Sequence, residues 1–275
     1  MKKNLITAII LTYNEEIHID RCIKSISKFV DEIFIIDSFS NDKTIKKARK
    51  YKKVKIFKRK FIHQADQMNW ALKNLKFKTD WILRIDADEY INKPKKNLFT
   101  NKINEKNING YIITRKIKFL GKIINYGATS PHKTLRLWRT GKAHYPNVSM
   151  DEQAVVKGRI AILDILIIDD NLKGLLYWIK KHINYSKKEA FEYIRNNKIS
   201  FSIDYSKINK SNKIKIYYSF PIFLRPFLLF LYSYIYKLGF MTGLRGFIFY
   251  FFQNFLYRFL VDINIIKNKL RFNKL

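Results

Sequence analysis

Acid is scarce in this chain of 275 residues: 22 Asp and Glu stand against 54 Lys and Arg, a formal charge of +32. That excess predicts attraction to polyanions, whether nucleic acid, nucleotide phosphates or acidic lipid head groups, without choosing among them. Lys, Ile and Asn are spread over the whole chain, so many single lysines read simply as solvated side chains. Cysteine is nearly absent. The lone Cys22 excludes an internal disulfide, and neither a Cys pair nor a close His pair has zinc-ligand spacing. A reducing, cytosol-facing compartment is expected, with Cys22 as a small core residue in IHIDRCIKSI. The five histidines are scattered, and no Ser, His and Asp ordering supports a covalent route. No internal repeat and no Pro- or Gly-rich linker divides the chain. Long apolar runs are missing too. The longest uncharged stretches of the last hundred residues, Pro226 to Tyr236 and Gly246 to Tyr257, hold 11 and 12 residues. A bilayer-spanning helix needs about 20. The opening MKKNLITAIILTYNEE has an apolar run too short for a signal peptide and no small-residue cleavage site, so it is expected to be a buried first strand.

What is present is enough apolar material for a real core, 47% hydrophobic and 16% aromatic. Continuous apolar stretches at residues 5 to 11 (LITAIIL), 33 to 37 (IFIID), 54 to 57 (VKIF) and 81 to 86 (WILRID) alternate with helical patterns at 16 to 29 and about 64 to 76. Strand, helix, strand order with strands buried on both faces predicts a doubly wound α/β domain. Ligands in such sheets collect beyond the carboxyl ends of the strands. Those ends are Thr12 to Glu15, Asp37 to Asp42, and Asp86 to Glu89, all polar or acidic and all expected on one edge. After residue 110 the pattern is strand-rich, then basic (HKTLRLWRTGK), then strand-like near 160 to 168.

The stretch RIDADEY puts Asp86, Asp88 and Glu89 within four positions. Carboxylates one residue apart on a strand point to opposite faces unless the chain turns. If it turns, their oxygens converge, and Mg²⁺ or Mn²⁺ favours such oxygen ligands together with substrate phosphates. An acidic helix cap competes with that reading for any lone carboxylate, Asp42 above all.

TYNEE after the first strand, DSFSND after the second and DADE after the fourth resemble the ordered signature of inverting family 2 glycosyltransferases with the GT-A fold. The resemblance runs from residue 5 to about 195, and the order of three motifs is more specific than any one. With MDEQ added, it is similar to the branch that adds hexoses to the inner core of lipopolysaccharide. Gln153 stands where that branch usually has His. The resemblance implies a mixed α/β sheet flanked by helices over residues 1–170, with a helical membrane-associating extension over 171–275. It implies that Thr12, Tyr13, Asn14 and Glu15 meet the base and ribose of a nucleotide sugar and that Asp37 accepts from the nucleobase. Asp86 would meet ribose or metal, Asp88 would hold the Mg²⁺ or Mn²⁺, Glu89 would tune the site, and Gln67 and Asn69 would line the pocket. The acid pair Asp151 and Glu152 would supply the base, Asp151 first. Lys133, Arg136 and Arg139 are expected either near phosphates or on a solvated strand face.

From residue 171 on, 19 Lys or Arg accompany only four acids, and residues 217 to 259 hold 18 of the 43 aromatics. Aromatic surface flanked by cations suits helices lying in a membrane interface, broken at GFMTGLRG. A cytoplasmic protein, peripheral on the inner face of the cell membrane, is therefore expected, with a lipid-linked glycan acceptor: lipopolysaccharide core, or a polyprenyl-linked or capsule precursor. A non-catalytic lipid- or nucleic-acid-binding protein is the rival from another class. Nucleic acid fits poorly, because the acids gathered at one sheet edge would repel a phosphate backbone.

Overall fold

The computed structural model describes residues 5–92, 103, 107–146, 153–198 and 216–272. Its contacts divide the chain into two compact units. The first is Met1–Lys118 with Pro131–Leu172, and the second is Phe119–Ser130 with Lys173–Leu275.

The first unit is built on β1 (Ile6–Thr12), β2 (Glu32–Asp37), β3 (Val54–Lys58), β4 (Trp81–Arg84), β5 (Glu89–Ile91), β6 (Ile108–Phe119), β8 (His132–Arg139) and β11 (Arg159–Asp169), in the spatial order β3-β2-β1-β4-β8-β6-β11-β5. The short strands β7 (Lys122–Ile123), β9 (Ala143–His144) and β10 (Val155–Val156) lie off that path. β3, β2, β1 and β4 run parallel. β8 then enters antiparallel to both β4 and β6, β11 is parallel to β6, and β5 is antiparallel to β11. The sheet is therefore mixed. The parallel half matches the alternating pattern of the sequence, whereas HKTLRLWR, read there as a basic run between strands, is itself the central strand β8.

Period-two alternation sorts β1 between two layers. Ala8 and Ile10 face the layer that holds Ile19, Cys22, Ile23 and Ile26 of helix α1 (Ile19–Ile26), whose i, i+3, i+4, i+7 spacing forms one apolar stripe. Ile9 faces the other layer, with Ala65, Met68 and Ala71 of α3 (Gln64–Asn74). Each fully buried Ile contributes about 1.5–3 kcal/mol of transfer free energy, so the strands that end at the acidic loops sit on a firm base. Cys22 is buried in this core, and burial, with Glu89, Asp86 and Asp88 nearby, pushes its thiol well above the usual range. A thiol held protonated is a packing group, as expected.

The second unit contains α4 (Gly174–Lys198), α5 (Leu224–Leu231), α6 (Leu244–Tyr250) and α7 (Tyr257–Phe272), with π-helical turns at Tyr232–Tyr236 and Phe251–Leu256 and a 3₁₀ turn at Gly239–Thr242. The break foreseen at GFMTGLRG falls at that 3₁₀ turn and Gly243, where φ is +75°. α4 and α7 pack together through Ala190, Tyr257, Val261 and Ile265. Polar side chains inside this unit pair with one another: Arg225 with Asp262, Asn254 with Ser233, and Arg258 and Tyr257 with Glu189; the Thr242 hydroxyl is left without a hydrogen-bond partner. Residues 119–130 join this unit through specific contacts. Phe119 packs on Trp178 and Phe249, and the Tyr250 hydroxyl donates to the Tyr126 carbonyl. Gly127, at φ +111°, lies so close to the Tyr250 ring that a Cβ would fall on its hydroxyl. Among the described residues no helix is long and apolar enough to cross a membrane.

Candidate active site

The carboxyl ends of β1, β2 and β4 lie on one sheet edge, because the three strands are parallel and in register, with Thr12 opposite Asp37 and Ile9 opposite Arg84. The loops after β1 and β2 are laced together. The Asn14 backbone N–H donates to Ser40 Oγ at 2.9 Å, and Asn41 N–H to Asn14 Oδ1 at 3.0 Å. Glu15 N–H reaches Thr44 Oγ1 at 2.7 Å, and Glu16 N–H reaches Asp42 Oδ2 at 3.1 Å. Asn14 adopts a left-handed φ of 55°, which an Asn tolerates better than most residues. Asp42 does act at the head of α2 (Thr44–Ala48), where its Oδ1 accepts from the Thr44 N–H and hydroxyl, while Oδ2 ties in the first loop.

Asp37 is fully buried. Its Oδ1 accepts from the Thr12 hydroxyl at 3.1 Å and the Ser40 hydroxyl at 2.5 Å, and its Oδ2 accepts from Ser40 N–H at 3.0 Å. Its charge thus organises both loops. Tyr13 and Phe39 stand exposed at this edge, at 58% and 57%. Gln67 is buried and donates to Ser38 Oγ and the Arg59 carbonyl. Asn69 spends both ends of its amide on the backbone of one residue, donating to the Tyr145 carbonyl at 2.7 Å and accepting the Tyr145 N–H at 2.8 Å. That two-point grip makes Asn69 a fastener of the Tyr145 segment.

RIDADEY does turn. Glu89 N–H donates to the Asp86 carbonyl at 2.9 Å, and Asp86 N–H donates to Glu89 Oε2 at 2.9 Å, which closes a tight reversal and lets the three carboxylates diverge in role. Asp86 faces Arg84 at 3.3 Å and Arg136 at 3.4 Å. Burial opposes its ionisation, but Arg84, Arg136 and Arg115 together hold the carboxyl well below the usual range. Glu89 is fully buried, 2.7 Å from Arg136 and 3.5 Å from Arg115. Burial, aided by Asp86 and Asp169 and resisted by Arg136 and Arg115, pushes its carboxyl up to about 7. Asp88 differs from both. Its Oδ2 accepts from Asn171 Nδ2 at 3.1 Å, and no Lys or Arg among the described residues pairs with it.

Arg136 corrects the sequence reading of the basic run. It is 5% exposed, so not on a solvated face, and its terminal nitrogens face Glu89 and Asp86 while Nε has no hydrogen-bond partner. Arg139 stacks over the Trp81 ring at 4.6 Å and donates to the Ile108 carbonyl; Lys133 alone of the three is exposed. The split follows a register shift in β8: Tyr111 pairs with Leu137 and Ile112 with Leu135, so Arg136 is the residue the ladder skips.

Several site residues were not singled out from sequence. Arg84 sits in the quoted RIDADEY, yet only its acids stood out. Tyr145, 3% exposed, lies beside Arg84, with its hydroxyl lacking a hydrogen-bond partner. Asp170 and Asn171 follow β11 in the order Asp-Asp-Asn, an acidic strand end of the same kind as the other three. Asp151 and Glu152 lie outside the described residues.

Of the three RIDADEY carboxylates, Asp88 is the one a divalent cation fits. The guanidinium groups occupy Asp86 and Glu89, and among the described residues no group of three or more His, Cys, Asp and Glu would form a cage and no Lys or Arg pairs with the Asp88 carboxylate. A hard cation held by one carboxylate and completed by substrate phosphates and water is the usual arrangement for Mg²⁺.

Comparison with known proteins gives three kinds of likeness. The sequence model described as "Glycosyl transferase family 2" matches residues 7–155. An uncharacterized glycosyltransferase of Rickettsia bellii (strain RML369-C) is 38% identical over 88 residues, which are 32% of this chain and 29% of that protein. One from Rickettsia felis (strain ATCC VR-1525 / URRWXCal2) is 36% identical over 88 residues, 32% and 30% of the two chains. The chain thus matches about a third of the length of these curated relatives. Among solved structures, S. aureus TarS 1-349 in complex with UDP-GlcNAc aligns with a TM-score of 0.48 at 14% identity, covering 96% of this chain and 92% of that one. Glucosyl-3-phosphoglycerate synthase from Mycobacterium tuberculosis, in complex with Mn²⁺, UDP and glucosyl-3-phosphoglycerate, aligns with a TM-score of 0.33 at 20% identity over 41% and 44%.

Proposed function

The chain belongs to glycosyl transferase family 2, and from that premise we propose that it is a metal-dependent inverting hexosyltransferase, drawing on a nucleotide sugar, a UDP-sugar first, and acting on a hydroxyl of a lipid-linked glycan such as lipopolysaccharide core. The observation that carries this reading is the division of labour in RIDADEY: two carboxylates neutralised by arginine beside one, Asp88, that is not.

In this reading Thr12, Tyr13, Asn14 and Glu15 form the wall against base and ribose, and Tyr13 and Phe39 offer exposed rings to a flat base. Asp37 stiffens that wall and accepts from the base, and Gln67 supports it from below. Asn69 acts at one remove, through Tyr145. Asp86, ionised between Arg84 and Arg136, accepts from ribose hydroxyls. Asp88 would hold Mg²⁺ or Mn²⁺, and the cation would supply positive charge against the departing diphosphate. Asp151, with Glu152 beside it in sequence, takes the proton of the acceptor hydroxyl. As that O–H breaks, the acceptor oxygen bonds to the anomeric carbon, and the carbon–oxygen bond to phosphate leaves with its electron pair on the nucleoside diphosphate. In-line attack from the opposite face inverts the anomeric centre.

The second unit would seat the enzyme on the cytoplasmic face of an anionic membrane. Supporting this, Ile235, Tyr236, Leu238, Phe240, Met241 and Leu244 are exposed apolar side chains within ten positions, with Lys237 and Arg245 among them.

The test is a donor screen with purified protein and membrane lipid extract, read by mass analysis of the product, together with UDP binding with and without Mn²⁺. Transfer should require the metal, and Asp88→Ala should abolish it in a protein that remains folded. Full activity in that variant would sink the mechanism, and metal-free, salt-sensitive binding to any oligonucleotide would favour the nucleic-acid-binding rival.

A further inference from the structure

The carboxyl end of β11 has no role in the reaction as described, yet four consecutive residues there reach the loops that follow β1 and β4, directly or through a shared arginine. Asp169 accepts from Arg115, which also faces Glu89. Asp170 N–H donates to the Asp88 carbonyl at 3.1 Å, and its carboxylate takes Arg21 at 2.6 Å and Lys118 at 3.1 Å. Arg21 in turn reaches the same Asp88 carbonyl at 3.3 Å. Asn171 donates to the Asp88 carboxylate. Leu172 N–H donates to Nε2 of His18 at 2.8 Å.

That last bond fixes a tautomer. A ring nitrogen that accepts a backbone N–H carries no proton, so the proton of His18 sits on Nδ1, 2.5 Å from Glu15 Oε2, and is donated to that carboxylate. His18 is fully buried, so neither bond is exchanged for water at low cost. An unbroken path of hydrogen bonds therefore runs from the Asp88 carboxylate through Asn171, one peptide on to Leu172, across His18 and into Glu15. Asp88 is gripped at both ends, at its carbonyl by Asp170 N–H and Arg21 and at its side chain by Asn171.

We propose that Asn171 is a positioning residue for Asp88, and that Asp170, Asn171 and Leu172, with His18, set the separation between the cation-holding carboxylate and the Glu15 loop. The proposal rests on the reading of Asp88 given above. Asn171 leaves Oδ1 of Asp88 to face a cation while Oδ2 is held by the amide. A carboxylate left free to rotate would spend part of its time turned away, and groups that orient a ligand in this way alter metal affinity about 10- to 100-fold when removed. His18 does the matching work on the nucleotide side, aiming Glu15 with a proton that cannot move to the other nitrogen while Leu172 donates there.

Two measurements on the full chain test it. Titration of UDP in the presence of Mn²⁺ should show affinity about 10- to 100-fold weaker in Asn171→Ala than in the parent, while UDP binding without metal and the melting temperature stay as they were. An unchanged metal-dependent affinity, or an equal loss with and without Mn²⁺, would overturn the positioning role. Hydrogen exchange needs no ligand. His18→Phe should remove the protection of the Leu172 amide, and His18→Gln, which keeps one donor and one acceptor, should restore it. Leu172 exchange indifferent to His18 would break the path. Parent protein that binds UDP no better with Mn²⁺ would defeat the Asp88 reading instead, and the clamp would then stand or fall on exchange at Asp170 and Leu172. Should Asn171→Ala unfold, Asn171→Ser, which retains a hydroxyl donor, is read in the same way, with a weakened Mn²⁺-dependent affinity expected and an unchanged one counting against the proposal.

Discussion

Arg136 donates to Glu89 across 2.7 Å, and both side chains are buried. The guanidinium arrives on β8, antiparallel to β4, so the acidic corner after β4 is neutralised by a residue 47 positions further along the chain. Removing one partner of such a pair strands the other in a medium of low polarity. Arg136→Met should therefore cost about 3 kcal/mol or more in urea unfolding of the first unit. A loss no larger than that of an exposed substitution would mean that Glu89 finds another partner.

Separate roles for the acid pair predict separate kinetics. Losing a general base typically costs about 10²- to 10⁴-fold in rate, so Asp151→Ala should lower kcat on that scale and leave the KM for the donor near its parent value. Glu152→Ala should cost less. A larger defect in Glu152→Ala would exchange the two assignments, and no defect in either would remove the pair from the chemistry.

Tyr236 and Leu244 are 72% and 75% exposed and lie on either side of the 3₁₀ turn. Replacing both with Glu should leave the melting temperature nearly unchanged, since both side chains are largely exposed and Tyr236 stacks at the surface on the half-exposed Tyr232 ring, while abolishing sedimentation with vesicles rich in anionic lipid. Binding that survives would direct attention away from this apex.

His182 supplies a pH dependence with a definite sign. It lies against the Trp178 ring at 3.9 Å between centroids and edge-on to Tyr257 at 5.4 Å, with Nδ1 on the Trp178 carbonyl. Burial lowers its pKa below the ordinary value; the Trp178 carbonyl and Gln253 resist that, while Lys181 adds to it. An imidazole that is harder to protonate folded than unfolded contributes stability that is present above the unfolded pKa, about 6.5, and is lost as the pH falls through the lower folded value. The second unit should therefore weaken on mild acidification, and His182→Phe should flatten that slope. Proton NMR titration of the ring, showing a midpoint at or above the unfolded value, would contradict this.

The parallel half of the sheet was legible because strands buried on both faces are continuous apolar runs, as in LITAIIL and IFIID, and because α1 keeps its stripe at 19, 22, 23 and 26. The antiparallel half was less so. β8 carries His132, Lys133, Arg136 and Arg139, and a strand whose charges are neutralised by distant acids looks from sequence like a solvated one. The acidic loops were found because local composition marks them. Arg84, two positions before Asp86, was there to be read; the pairing of Arg115 and Arg136 with these acids was missed because they come from other strands, 26 and 47 positions from Glu89, and pairing of that range leaves no spacing to read. Asp170 and Asn171 left a faint signal, an acidic strand end after a long apolar strand, of the same form as Asp37 and Asp86. His18 left none, since its role depends on the Leu172 amide 154 positions away.

Between Asp204 and Asp262 the chain contains no carboxylate, and Asp262 is buried against Arg225. The segment from α5 through α6, with the turn between them, therefore carries no Asp, Glu, His or Cys of its own. In the proposed seating on an anionic surface, acidification would not strengthen the attraction by discharging acids of this segment, and mild alkali would not weaken it. Ionic strength is the remaining control: at about 0.15 M salt the field of Lys237 and Arg245 reaches only about 8 Å. The apex can sense negative charge only when it is already close to it, so its grip would respond to the local density of anionic head groups rather than to the charge of the cell surface as a whole.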